Sequence, residues 1–197
     1  RPCGLIGIAE KGMMNLEFRV VSSGGHASAP GHRTPIGILS KACCRVEKLP
    51  FKMHITAPAK EMFDTLGRHS TFLYRLIFAN LWCFGGLLDR LSRKTGDELN
   101  AILRTTVAFT QASGSPAPNV IPPSASFVAN LRLNPCDTVD IALEYISKVV
   151  GDESVELIAG PNAANPSAIS ELRCPAWERV AETVAETWPG CIVSPYL

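Results

Sequence analysis

Apolar and polar positions alternate along residues 14–21. Met14, Leu16, Phe18 and Val20 face one way, and Asn15, Glu17, Arg19 and Val21 the other. This period of two predicts a half-buried strand. A glycine-rich break, SSGGHASAPGHRTP, ends it. Residues 35–49 then change to helical spacing, with Ile36, Leu39, Cys43, Val46 and Leu49 on one face. Thr34 is placed to cap that helix, with Pro35 at its first position. Residues 58–99 read as an inserted run of two or three helices, in the pieces APAKEMFDTLG, STFLYRLIFANLWCF and LLDRLSRK. AILRTTVAFTQA, residues 101–112, is rich in β-branched residues and predicts a strand. A proline-rich connection, SGSPAPNVIPP, follows it. Residues 125–133 alternate again, setting Ala125, Phe127, Ala129, Leu131 and Leu133 against Val128, Asn130 and Arg132. Asp137 or Thr138 caps a helix running to Val150, with Val139, Ala142, Leu143, Ile146 and Val149 as its buried stripe. Val155, Leu157 and Ala159 suggest a closing strand.

With the inserted helices set aside, the order is β-α-β-β-α-β. It predicts an α+β fold of the ferredoxin-like, split βαβ kind, with both helices on one face of an antiparallel sheet. The character changes after residue 160. GPNAANPS reads as a linker, and Pro175 opens a helix with Trp177, Val180, Ala181, Val184 and Trp188 on one side. CIVSPYL resembles a strand. One helix and one strand cannot enclose a core, so both are expected to belong to another domain. The first residues, RPCGLIGIAEKG, show no initiator Met and no leader pattern. The expectation is therefore a fragment: residues 1–11 and 161–197 from a neighbouring domain, and residues 12–160 as a unit carrying the insert at 58–99.

Composition narrows the partners. With 46% hydrophobic and 19% charged residues the chain predicts a packed core, and its net charge of +1, without a basic stripe, argues against nucleic acid. Seven irregularly spaced cysteines with no CxxC argue against a disulfide framework or a cysteine zinc site. Reduced cysteines slightly favour the cytoplasm. The most apolar stretch, residues 72–88, holds Arg75, Asn80 and two glycines, and predicts a buried or interface helix rather than a membrane span, with a membrane contact as the alternative.

No HExxH, GxSxG, Walker loop or GxGxxG occurs. One segment stands out, GGHASAPGH at residues 24–32. Glycines around His26 leave its imidazole open to a ligand, where it can donate to a developing oxyanion. A plain loop histidine is the competing reading. Asn119, in PAPNVIPP, and Arg132, on the polar face of a strand, are ordinary turn and surface residues taken singly. Together they are candidates for a carboxylate fork.

GGHASAP followed by a helix, and then TTVAFTQASGSPAPNVIPPSASFVANLRLNPCDT, resemble the lid or dimerisation domain of the M20 metallopeptidases, di-zinc exopeptidases and aminoacylases. The resemblance runs from IAEKG to SPYL. The insert with NLWCFGGLL looks most like the carboxypeptidase S and N-acyl amino acid hydrolase branch. It implies a lid inserted in a zinc-binding catalytic domain and often paired with a second lid as a homodimer. It also implies that His26 stabilises the tetrahedral intermediate, and that Asn119 and Arg132 hold a small peptide or N-acyl amino acid substrate. The family's HxD segment and Glu-Glu pair lie upstream of the lid, and its last His ligand lies downstream. The resemblance thus implies two zinc ions for the parent and none for this chain, which alone is expected to be inactive. Cys136 stands where the family usually has Gly, which puts the tightness of that turn in question. The competing reading is an independent ferredoxin-like interaction or small-ligand module.

Overall fold

A computed structural model describes residues 2–95 and 97–197. In chain order the elements are β1 (Cys3–Gly7), β2 (Gly12–Val21), β3 (Gly25–His26), α1 (Pro35–Lys48), α2 (Ala57–Arg68), α3 (Phe72–Ala79), α4 (Leu81–Thr95) and α5 (Asp97–Leu103). They continue with β4 (Thr106–Ser113), β5 (Val120–Ile121), β6 (Ser124–Leu133), α6 (Val139–Val150), β7 (Glu156–Ala159), α7 (Pro175–Thr187) and β8 (Ile192–Tyr196).

The alternating segments build a four-stranded sheet in the order β4-β6-β2-β7, antiparallel throughout. Met14, Leu16, Phe18 and Val20 of β2 and Ala125, Ala129, Leu131 and Leu133 of β6 are all buried on one face. α1 covers that face with Ile38, Leu39, Ala42 and Val46, and α6 with Ala142, Ile146 and Val150. Thr34 caps α1 by accepting from the Gly37 N–H at 3.3 Å, and Thr138 caps α6 through Ile141 at the same distance. The opposite face carries polar cross-strand pairs. Asn130 donates to Asn15 at 2.8 Å, and Arg19 pairs with Glu156 at 2.8 Å. The edge strands are blunted: β4 is interrupted by a bulge between Phe109 and Gln111, and β7 has four residues.

Some expectations change. Ile36 and Leu49 are exposed, so the inward face of α1 is rotated toward Pro35, Ile38 and Ala42. Among the described residues the insert has four helices, and its last, α5, takes residues 101–103 that β-propensity had assigned to a strand. The apolar stretch 72–88 is not one helix either. It breaks at Asn80, where α3 and α4 meet at 108°, and much of it is exposed rather than buried.

The insert has its own core of Ala59, Met62, Phe63, Leu88 and Leu103, joined by Tyr196 of β8. Arg104 fastens it to the sheet unit. Wholly buried, Arg104 donates to the Asp89 carboxylate at 2.6 Å, to Ser92 Oγ at 2.9 Å and to the Phe51 carbonyl at 3.3 Å. The chain's first and last strands also meet. β1 and β8 pair in parallel from Cys3–Ile192 to Gly7–Tyr196, and α7 lies over Gly4 through Val184. The segment expected to be a linker is not free. Ala164 exchanges two hydrogen bonds with Met13, and Ser167 and Ser170 bond to Glu10 and Ile8.

Candidate functional site

The site is built on two tethered loops. Ser22 Oγ donates to the Pro122 carbonyl at 2.9 Å and accepts from the Gly24 N–H at 3.0 Å. Gly24 then turns with φ +67°, and a Cβ there would lie 3.1 Å from the Ile121 carbonyl oxygen. This close approach and positive φ are why the chain needs glycine before His26. β3 and β5 pair as Gly25–Ile121 and His26–Val120, and the Ala27 N–H donates to the Asn119 carbonyl at 2.9 Å. His26 and Asn119 are thereby brought to adjacent positions, both exposed.

The imidazole of His26 is held from one side. The Ser28 backbone N–H donates to Nδ1 at 3.2 Å, and Ser28 Oγ lies 2.8 Å from the same atom. A neutral ring accepting at Nδ1 carries its proton on Nε2, an assignment that follows from the hydrogen-bond network. The free edge of His26 is then a donor, the polarity that an oxyanion requires.

Arg132 is elsewhere. It sits opposite Met13 and Thr106, while the His26 end of the sheet begins where Val21 faces Ser124. Eight residues of strand separate the two ends, about 27 Å at ~3.4 Å per residue. One chain therefore does not bring Arg132 to Asn119, and the carboxylate fork expected from that pair is not formed within it. Arg132 is exposed and, among the described residues, its side chain has no hydrogen-bond or ion-pair partner.

Lys11, which the sequence does not single out, lies within electrostatic reach of Arg132. Lys11 Nζ donates to the carbonyls of Ala101 at 2.6 Å and Arg104 at 3.1 Å. Burial, and then the charge of Arg132, push Lys11 down to about 8, against an opposing pull from Asp137. Asp137 is buried, accepts from Thr105 Oγ1 at 2.6 Å and lies 3.8 Å from His54. Asn134 is fully buried and closes the turn: its Oδ1 accepts from the Cys136 N–H at 3.1 Å, and its carbonyl accepts from Asp137. Cys136 has no positive φ, so this turn closes without a glycine. The NP dipeptide signals the turn, and the sequence offers Asp137 only as a helix cap, a place that Thr138 takes; nothing in the spacing marks Lys11. Among the described residues no three His, Cys, Asp or Glu side chains converge as metal ligands.

Comparison with known proteins adds to this geometry. The family model of the M20 peptidase dimerisation domain matches residues 8–157. A carboxypeptidase S-like protein of Dictyostelium discoideum is 29% identical over 99% of this chain and 37% of its own length. An N-fatty-acyl-amino acid synthase/hydrolase of Xenopus tropicalis is 38% identical over 80% of this chain and 31% of its own length. The chain thus spans well under half of the curated relatives it matches. Among solved structures, an M20 family metallo-carboxypeptidase of Sulfolobus solfataricus aligns with TM-score 0.61 at 14% identity, covering 98% of this chain and 53% of that one. Human carnosine dipeptidase 1 aligns with TM-score 0.59 at 12% identity, covering 97% and 44%. At these identities the likeness is one of fold.

Proposed function

The chain belongs to the M20 metallopeptidase family through its peptidase dimerisation domain, and from there we propose that it is the lid of a zinc-dependent exopeptidase or aminoacylase. The parent enzyme hydrolyses the amide bond of peptides or N-acyl amino acids, and the lid is inactive alone. Relatives whose names specify N-fatty-acyl-amino acids favour the N-acyl class. Residues 12–160 are the lid, with the insert at 58–99, and residues 1–11 and 161–197 belong to the catalytic domain. We read the sheet as ferredoxin-like. The support is the order β4-β6-β2-β7 with α1 and α6 on one face.

The observation that carries the enzymatic reading is the exposed imidazole of His26, held at Nδ1 by Ser28 so that its Nε2 edge is left to a ligand. When the amide carbonyl is attacked, its oxygen becomes an oxyanion, and His26 donates to it. Asn119, on the adjoining loop, hydrogen-bonds the substrate, and the Arg132 guanidinium takes its carboxylate in a two-point contact. Because His26 and Arg132 stand at opposite ends of one lid, each complete site in a homodimer takes His26 and Asn119 from one subunit and Arg132 from the other. The two zinc ions that the family implies have no ligand set among the described residues here, and no step is assigned to them.

The test uses the enzyme containing this chain, assayed on an N-acyl amino acid. Loss of one oxyanion donor in His26→Ala lowers kcat about 10²–10³-fold. Arg132→Ala raises KM. At substrate well below the raised KM, re-associating the two impaired variants returns about a quarter of wild-type activity, because half of the dimers are mixed and each mixed dimer has one intact site. A His26→Ala loss under about threefold refutes the oxyanion role. No recovery on mixing refutes the shared site.

A further inference from the structure

The α3–α4 hairpin presents a cluster of apolar side chains to water. Phe72, Leu73, Tyr74, Leu76, Trp82 and Leu87 are all exposed, Trp82 to 87% and Phe72 to 79%. Single exposed apolar residues are ordinary, but a cluster of this kind marks a contact surface. Leu88 and Ser92 are buried and define the inward side of α4. At 100° per residue the outward side begins with Trp82, Cys83, Gly86 and Leu87 and ends with Arg90, Arg93 and Lys94. Asp89 is the one acidic residue between 72 and 95, and it is held by Arg104 at 2.6 Å and Arg93 at 3.1 Å. The hairpin thus carries a net positive charge on a chain whose total is only +1.

We propose that the α3–α4 hairpin docks the protein on an anionic lipid bilayer, inserting Phe72, Leu76 and Trp82 at the headgroup boundary and laying Arg90 and Lys94 against its negative groups. Three observations select a lipid surface over a protein partner. The apolar and basic parts follow one another along a single outward face, so one flat contact brings both to the same surface. Aromatic side chains lead the apolar part, and tryptophan and tyrosine favour that boundary. Within 72–95 four cations stand against one carboxylate that is already paired, so an anionic surface complements them. The hairpin lies on the bilayer and does not cross it. α3 and α4 have 8 and 15 residues and meet at 108°, and among the described residues no single helix is long and apolar enough to span. This inference stands whether or not the hydrolase reading does.

Vesicle co-sedimentation of the full chain tests it, with phosphatidylcholine alone and with about a third phosphatidylserine. Binding is expected on the anionic vesicles, weaker on phosphatidylcholine, and reduced as salt is raised. Phe72→Ser/Trp82→Ser lowers vesicle affinity at least about tenfold, since each removes a buried aromatic contact. Circular dichroism and urea midpoint stay unchanged, because both side chains are solvent-exposed in the free protein. Trp188→Ser, an exposed tryptophan outside the hairpin, retains binding. Failure of the wild type to bind either vesicle overturns the proposal, as does a double variant that binds equally well. So does a double variant that turns a dimer into a monomer while no vesicle binding is seen, since the face then belongs to a second copy.

Discussion

Replacing Asp89 by Asn leaves the Arg104 guanidinium buried without its charge partner. Arg104 has no exposed side-chain surface and Asp89 keeps 27%. Burial would raise the Asp89 carboxyl, but hydrogen bonds and charge from Arg104 and Arg93 hold it below its usual range. Removing one partner of a fully buried pair costs about 3–5 kcal/mol, and the partial exposure of Asp89 brings the expectation to about 2–3 kcal/mol. That is a large share of the roughly 5–15 kcal/mol by which a domain is stable. The reverse change is milder. Arg104→Met strands Asp89, but Asp89 is partly exposed and keeps Arg93 at 3.1 Å. Met also removes Arg104 Nε, a buried donor with no partner, whose presence already costs about 1–3 kcal/mol. The Phe51 carbonyl and Ser92 lose a donor in exchange, so Arg104→Met should cost within about 1 kcal/mol. Urea unfolding of the two single variants and the double variant gives the cycle, and a coupling of about 2 kcal/mol is expected. If Asp89→Asn proves milder than Arg104→Met, or the coupling is below about 0.5 kcal/mol, then Arg104 is not held chiefly by Asp89.

Two further outcomes follow from local geometry. Lys11, pushed from 10.5 to about 8, binds its proton less tightly in the folded chain than in the unfolded one. The unfolded chain therefore holds more protons between those values, and stability rises with pH across that window. Below about 8 the cost of burying the charge is fully present. The advantage of Lys11→Met over wild type in urea midpoint should thus shrink as pH climbs through the window, and an advantage that grows there contradicts the shift. Gly24→Ala forces a side chain into φ +67° against the Ile121 carbonyl. It should cost about 1–2 kcal/mol, while Gly31→Ala, with open space around its Cβ position, should cost far less. Equal midpoints for the two variants would show that the β3–β5 turn is not strained.

The sheet was legible because its signal is strong and local. β2 buries the four residues that its alternation selects, and α1 and α6 start at Thr34 and Thr138 caps with ordinary side-chain chemistry. The exact face of α1 was not legible, since Ile36 and Ile38 are equally apolar and only the packing against β2 and β6 chooses between them. The break at Asn80 was hidden for a related reason. Hydropathy runs unbroken through it, and the backbone turns where Asn80 Nδ2 bonds to the Leu76 carbonyl. At the site, glycines on one side of His26 gave a physical reason to single it out. The tether to Asn119 did not show, because it is made of backbone hydrogen bonds between loops more than ninety residues apart. Nor did the separation of Arg132, which depends on strand register and not on spacing.

The parallel pairing of β1 with β8 sets an order of assembly. Joining Gly7 to Tyr196 closes a loop of nearly the whole chain, and the entropy of such a closure grows with loop length. That closure is eased once β2, β6 and β7 have formed, because the Met13–Ala164 bridge already holds the two segments side by side. The sheet unit, whose pairings close shorter loops than β1 with β8, thus forms first, and the β1–β8 pair follows it. Slowing the formation of the sheet unit should therefore delay the β1–β8 pair as well, whereas unzipping β1 from β8 should leave the folding rate of the sheet nearly unchanged.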